Sequence, residues 1–524
     1  MLKSPPKVTT SLRQPYHYNK EQQSLLSEKE RSMQQRYKYY QKLSAVSDIH
    51  KEQLVIPLHL VPRNFFVTLS EKFTHNQSSI ITIFTLWNYM IGTSVLCMPW
   101  TLFESGFLTG VFILIIMMLL SLYSCYLIIT CTKRYVKAKN CGPVLEFGVV
   151  CKEYLGSFGS LTAYLSSLAV QVGTCCSYWI LMSNFIYKSG DFLRSVILYG
   201  RLIPKPLPNS IHECLCPVPG NPLYQCFANS TEASMDAQML SFHTDAHYNA
   251  VWNMTRTVPL YLIFLIFPLL NFKSPTYFTK FNSLGIASLM YMFLFIFLKS
   301  CVWGIRFHET VKPEVTSVID FKWNFPKLTG VSMMSYFTHN SLLSIIYNQK
   351  DQRHIVRHVS IAYSCGCITY LLIGVFFFIS FPANKSCIQE NILDNFLPSD
   401  PFTFLARISL SLQLVSVYPL MAYSIRAQTF YFFSDTIWPG YIRVMGFNAV
   451  MVILSTLVAI YIPHIATIVR FIGAFTGCIY IVFLPCSVYL LQERRRKKLT
   501  KFKVVVHLFY IFLSVVNVVL QFFY

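Results

Sequence analysis

Thr85-Leu-Trp-Asn88-Tyr-Met-Ile-Gly92-Thr93-Ser94-Val-Leu-Cys-Met-Pro99-Trp100 is apolar enough to lie in a membrane, yet its middle is built to interrupt a helix. Gly92, Thr93 and Ser94 sit at the centre, and Pro99 follows five residues after Ser94. Glycine lowers helix stability, and proline removes a backbone donor. A helix broken here offers free N–H groups to a carboxylate and free carbonyls to a cation. Asn88, Gly92, Thr93 and Ser94 are therefore candidate substrate-binding residues. The competing reading is ordinary packing of small residues between membrane helices. This segment alone leaves both open.

The surrounding chain decides the class. Apolar residues make up 54% of it and charged residues only 13%, about half the charged share of a soluble protein. Such a chain needs lipid against its surface. The net charge of +21 is spread over short loops and the first residues. It forms no basic domain, so nucleic acid is excluded as a partner. The expectation is an all-α polytopic membrane protein with eleven spans, near 80–103, 107–131, 158–187, 258–272, 284–303, 328–347, 359–381, 402–432, 444–462, 466–491 and 504–523. Residues 1–78 read as a polar tail and 79–524 as the membrane domain, with a long loop at 189–256. The tail lacks the apolar core of a signal peptide, which predicts that it stays in the cytoplasm.

Two signals set the same orientation. With the tail inside, even-numbered spans end beside Lys133, Arg134, Lys137 and Lys139, beside Lys350, Arg353 and Arg357, and beside Arg494, Arg495, Arg496, Lys497 and Lys498. This is the positive-inside bias. The acceptor sequences Asn229-Ser-Thr, Asn253-Met-Thr and Asn384-Lys-Ser fall on the opposite side, where glycosylation occurs, whereas Asn76-Gln-Ser falls inside. Cys214, Cys216, Cys226 and Cys387 also lie outside, in a compartment that permits disulfides. Four cysteines allow three pairings, and a bridge from Cys216 to Cys387 is one that ties two loops together.

The spans hold almost no Asp or Glu. No carboxylate relay of a proton pump is visible, and neither G-x-S-x-G nor H-E-x-x-H occurs, so no enzyme is expected. A zwitterion in the membrane would have to be held by helix ends and backbone. Span six strengthens that reading, with Gly330 near its start and Thr338, His339 and Asn340 in its middle. Five spans form an odd-numbered repeat that inverts its own topology, so spans one and six are corresponding members of an inverted five-plus-five arrangement, plus an eleventh helix. Paired interrupted spans point to a transporter site. His339 and Asn340 are candidate gate residues. For His339, a neutral ring bonded to a neighbouring helix is the reading that the cost of intramembrane charge favours.

The stretch Trp87-Asn-Tyr-Met-Ile-Gly-Thr-Ser-Val-Leu-Cys-Met-Pro-Trp100 resembles the first span of the amino acid/auxin permease family. Tyr178-Trp-Ile-Leu-Met-Ser-Asn-Phe185, Pro268-Leu-Leu-Asn-Phe-Lys-Ser-Pro275 and Val417-Tyr-Pro-Leu420 are similar to the lysosomal branch of solute carrier family 38 within it. The resemblance implies export of essential amino acids such as leucine, promoted by arginine. It implies no organic cofactor, and a sodium ion at Thr93 and Ser416, where Ser416 stands in place of a family threonine. It also implies that the tail signals to Rag GTPases and Ragulator, upstream of the target-of-rapamycin kinase. Tyr37, Tyr40, Leu43, Pro57 and Pro62 match the contacting segment, which reads from composition as a disordered tail with a short aromatic anchor. Glu21-Gln-Gln-Ser-Leu25-Leu26 and Tyr40-Gln-Lys-Leu43 are similar to sorting signals that fit a lysosomal address. A transporter that also senses, a receptor without flux and a plain plasma-membrane symporter are the three classes that remain.

Overall fold

The computed structural model describes residues 78–139, 146–199, 246–271, 283–305, 321–347, 349–350, 352–382, 384–397, 400–434 and 439–524. The tail residues Tyr37, Tyr40, Leu43, Pro57 and Pro62, and also Asn76, Cys214, Cys216, Cys226 and Asn229, lie outside the described residues.

Every long element among the described residues is helical. The first apolar segment runs as α1 (Ser79–Met90), a 3-10 turn (Thr93–Cys97) and α2 (Met98–Ser105). Ser78 starts α1 by accepting from Ile81 N, which satisfies one of the free donors of a helix start. The two halves are bent by 54° at the break. Pro99 sits in the first turn of α2, where a missing N–H costs nothing. Proline therefore starts the second half here.

Long membrane-capable helices follow as α3 (Phe107–Lys139) and α4 (Phe147–Tyr199). The third segment is much longer than its apolar core predicts. Gly156, at φ 70, divides α4, a left-handed conformation that a side chain resists. The short α5 (Ala246–Val251) and apolar α6 (Val258–Leu270) precede α7 (Ser283–Trp303). The sixth segment is again split, into α8 (Phe325–Ser335) and α9 (Leu342–Tyr347), with six non-helical residues between.

The remaining helices are α10 (Ile355–Ser380), α11 (Pro401–Ser434), α12 (Tyr441–Tyr461), α13 (Ile465–Thr476), α14 (Leu484–Arg495) and α15 (Lys501–Leu520). A π-helical turn, Gly477–Phe483, joins α13 to α14. The sequence gives no sign of it. By length and composition, seven described helices can cross a membrane, or eight with the bent first pair.

Packing is tightest around the split segments. α8 lies on α13, and α1 and α2 both lie on α10. A Cβ at Gly473 would stand 2.3 Å from Gly330 O, and one at Gly330 only 2.7 Å from Arg470 O. Gly330 is thus a point of backbone contact between helices. The outer faces carry large exposed apolar side chains such as Phe264, Val302 and Phe502, as lipid contact requires.

Candidate functional site: the paired helix breaks

The break in the first segment exposes backbone before it exposes any charged group. The turn closes with Val95 N donating to Gly92 O at 3.4 Å. The N–H groups of Gly92, Thr93 and Ser94 precede that bond, and they stand at the positive end of the turn and of α2. Gly92 has extended backbone, φ −122 and ψ −152, and a Cβ there would meet nothing closer than Met90 O at 4.0 Å. Its glycine is therefore not demanded by conformation or space. Thr93 is partly accessible, Ser94 is buried, and Asn88 lies partly buried on α1.

Side chains of α10 hold the two breaks together. The Tyr370 hydroxyl donates to Met90 O at 2.6 Å and stands 3.2 Å from Ser335 O. These carbonyls belong to the last residues of α1 and α8. Seven residues earlier, the Tyr363 hydroxyl lies 3.0 Å from Tyr336 O and 2.8 Å from Thr338 Oγ1. Thr369 Oγ1 accepts from Trp87 Nε1 at 3.0 Å. Carbonyls freed by a broken helix need donors when buried, and the Tyr370 and Tyr363 hydroxyls supply them. Residue-by-residue reading of spans one and six misses this belt. The recurrence of tyrosine at 363 and 370 on one face of an apolar helix is the signal that could have found it.

A second link crosses the breaks directly. Ser341 Oγ donates to the Tyr89 hydroxyl at 2.9 Å, which lies 3.2 Å from Asn340 Oδ1. Asn340 is therefore joined to α1. His339 points elsewhere. It is 1% exposed, and its Nε2 stands 3.1 Å from Ser121 O and 3.4 Å from Cys125 Sγ on α3. The ring is thus bonded to a neighbouring helix.

Ser416 is buried on α11, and its hydroxyl donates to Gln413 O at 2.7 Å. No hydrogen bond joins it to Thr93 among the described residues. A sodium ion takes hard oxygen donors, including carbonyls of unwound helices. The Thr93 hydroxyl, the lone pairs left on Ser416 Oγ and the carbonyls at the break are of that kind, so the donor set fits the ion chemically.

A charged layer covers the end of the bundle formed by α2 and α8. Glu104 Oε2 meets Lys327 Nζ at 2.7 Å and accepts from Asn324 Nδ2 at 2.9 Å. Lys322 Nζ donates to Phe103 O at 2.8 Å. Glu390 accepts from Ala466 N at 3.1 Å and faces His464 Nδ1 at 3.4 Å. Burial raises the Glu390 carboxyl above the usual carboxylate range, against the lowering pull of His464. The turn Ile392–Asn395 beside it rests on the turn Thr93–Cys97. Near it, Arg407 is fully buried and donates to Leu393 O at 2.7 Å. The sparse acids of the spans gave no hint of these buried cations.

Asn253 Oδ1 accepts from Thr255 N at 3.0 Å and from Thr255 Oγ1 at 3.1 Å. Asn384 is exposed and accepts from Ser386 N at 3.1 Å. Cys387 is buried and is not among the free thiols, while Cys216 lies outside the described residues.

Residues 75–205 and 231–523 match the family model described as transmembrane amino acid transporter protein. A protein of Xenopus tropicalis named neutral amino acid transporter 9 is 35% identical over 94% of this chain and 90% of its own length. The sodium-coupled neutral amino acid transporter 9 homolog of Caenorhabditis elegans is 33% identical over 99% of this chain and 87% of its own. Neutral amino acid transporter 9 of Rattus norvegicus is 34% identical over 94% and 89%.

Proposed function

The chain belongs to the transmembrane amino acid transporter protein family, a family of transporters and not of enzymes, and from that premise we propose that it moves neutral amino acids through a site formed where α1 and α8 end. The observation that carries the reading is the Tyr370 hydroxyl, which meets the terminal carbonyl of both broken helices. One side chain then registers the two halves against each other, as a site between inverted repeats requires. The substrate carboxylate meets the N–H groups of Gly92, Thr93 and Ser94. The ammonium group meets carbonyls at the end of α1. Neither contact needs a charged side chain, which suits a buried site for a zwitterion.

The full reading has eleven spans in two inverted sets of five plus a last helix. It counts α6, α7 and the α8–α9 pair as spans alongside the longer helices. The N-terminus is cytoplasmic, Asn229, Asn253 and Asn384 carry sugar, and Cys387 pairs with Cys216. Sodium, when bound at Thr93 and Ser416, supplies a coupling charge beside the substrate. The name of the nematode relative, a sodium-coupled transporter homolog, supports that coupling.

The protein works in the lysosomal membrane, exports leucine in response to arginine, and engages Rag GTPases and Ragulator through Tyr37, Tyr40, Leu43, Pro57 and Pro62. The support is the resemblance of that segment and of its sorting patterns. Asn340, tied to Tyr89, is the gate residue on this reading, and His339 is a fixed neutral ring behind it. Radiolabelled leucine efflux from proteoliposomes tests the proposal. Arginine should accelerate efflux. Efflux indifferent to arginine would leave a plain symporter, and leucine binding without efflux a receptor.

A further inference from the structure

One acidic side chain among the described residues has no partner. Glu146 makes no hydrogen bond and no ion pair there, whereas the others are each bonded, as Glu104 is to Lys327, Glu153 to Lys139, Asp400 to Lys299 and Glu493 to Arg134. It immediately precedes α4, but it does not bond to the first-turn N–H groups, so it is not serving as a cap. Its neighbours Phe147, Val150 and Cys151 are all buried, while Glu146 itself keeps partial access.

Its surroundings lead to the paired breaks. α4 packs on the π-helical turn, a distortion that recurs at functional sites. Tyr480 of that turn lies within electrostatic reach of Glu146, Cys151 and Tyr89. The Tyr480 ring is 5.6 Å from Phe337, which is 5.9 Å from His339. Tyr89 in turn is bonded to Ser341 and lies beside Asn340. Among the described residues, the titratable side chain within reach of Glu146 is thus the Tyr480 phenol of the π turn, which carries no positive charge.

We infer that Glu146 recognises the cationic side chain of a basic amino acid on its way between the breaks and the face from which α4 starts. This deepens the proposed function and rests on it. An unpaired carboxyl in such a setting is held in its neutral form by the cost of burying charge. Burial pushes the Glu146 carboxyl up to about 8. A guanidinium or ammonium group arriving beside it supplies the missing countercharge. Glu146 then gives its proton to solvent and becomes the carboxylate of an ion pair. One cation is gained and one proton released, so the local charge balances. A neutral amino acid has no such group and leaves Glu146 protonated.

The test uses the full chain in lipid nanodiscs, with arginine, lysine and leucine as probes. Calorimetry near neutral pH, in two buffers of different ionisation enthalpy, counts protons. Arginine and lysine should each release most of one proton, and leucine none. Between about pH 6 and 8, arginine affinity should rise up to roughly tenfold per pH unit, the slope of one linked proton. Glu146→Gln should abolish the proton release and weaken arginine roughly tenfold or more at the upper pH, while leucine affinity stays within about twofold. Glu146→Asp should keep the release. Parent-like arginine affinity and pH dependence in Glu146→Gln would overturn the inference alone. So would a parallel loss of leucine binding, or the same proton release caused by sodium chloride without amino acid. A parent chain that binds leucine but neither basic amino acid would instead remove the arginine response itself, and this inference with it.

Discussion

Tyr370 carries more of the account than any other single side chain. Its hydroxyl serves Met90 O and stands beside Ser335 O, so Tyr370→Phe removes the donor to one buried carbonyl and a polar contact of the other. Leaving a buried carbonyl unsatisfied costs about 1–3 kcal/mol. If part of that cost falls on the liganded state, substrate affinity drops about five- to thirtyfold, or 1–2 kcal/mol. Leucine binding to the purified variant measures it. A variant with lower thermal stability but parent affinity would show that Tyr370 braces the fold and does not set the site. At this scale the sequence was half legible. Gly92, Thr93 and Ser94 marked the break because small residues and a nearby proline are local signals. The partners of Tyr363, Thr369 and Tyr370 were not legible, because they lie on other segments of the chain and nothing in a linear reading pairs them, although the spacing of the two tyrosines was visible.

Helix breaks were more readable than helix lengths. Both split segments fall where glycine or polar residues interrupt an apolar run, at 91–97 and at 336–341. The long start of α4 was missed because residues 147–157 are less apolar than a span, and hydropathy finds only lipid-matched length. The π turn was missed because a register shift within a continuous helix leaves no mark on composition. Close crossing of α8 and α13 gives an element-scale prediction. The Cβ of Gly473→Ala would stand 2.3 Å from the backbone oxygen of Gly330, which cannot move as a flexible side chain would. Overpacking of this kind costs about 1–3 kcal/mol. Gly446→Ala on α12 meets nothing within 4 Å and should not lower stability, since alanine favours a helix interior over glycine. Thermal melting followed by fluorescence-detected chromatography compares the two. Equal melting temperatures would contradict the tight crossing.

For the whole molecule, the proposed orientation rests on charge and acceptor sites that sequence alone could pair. Arg134, Arg496 and Lys503 gather round the buried Glu493 at one end of the bundle. The Glu104–Lys327 and Glu390–His464 pairs and the exposed Asn384 are separate from that cluster in chain position. Replacing Asn229, Asn253 and Asn384 singly with Gln should each remove one glycosidase-sensitive mobility step on a gel, and Asn76→Gln should remove none. A shift confined to Asn76→Gln would invert the membrane orientation.

The central claim is that substrate is held at the break between α1 and α2. Thr93 is partly accessible there, and no space is left for a large ring once backbone N–H groups close on a small zwitterion. Thr93→Trp tests this against Val515→Trp, a control on α15 at a position 46% exposed on the outer face. Both variants should fold and elute as the parent does. Equilibrium binding of radiolabelled leucine and arginine is the decisive measurement. It should vanish in Thr93→Trp and persist unchanged in Val515→Trp. A folded Thr93→Trp protein that binds either amino acid with parent affinity would place the site elsewhere in the molecule.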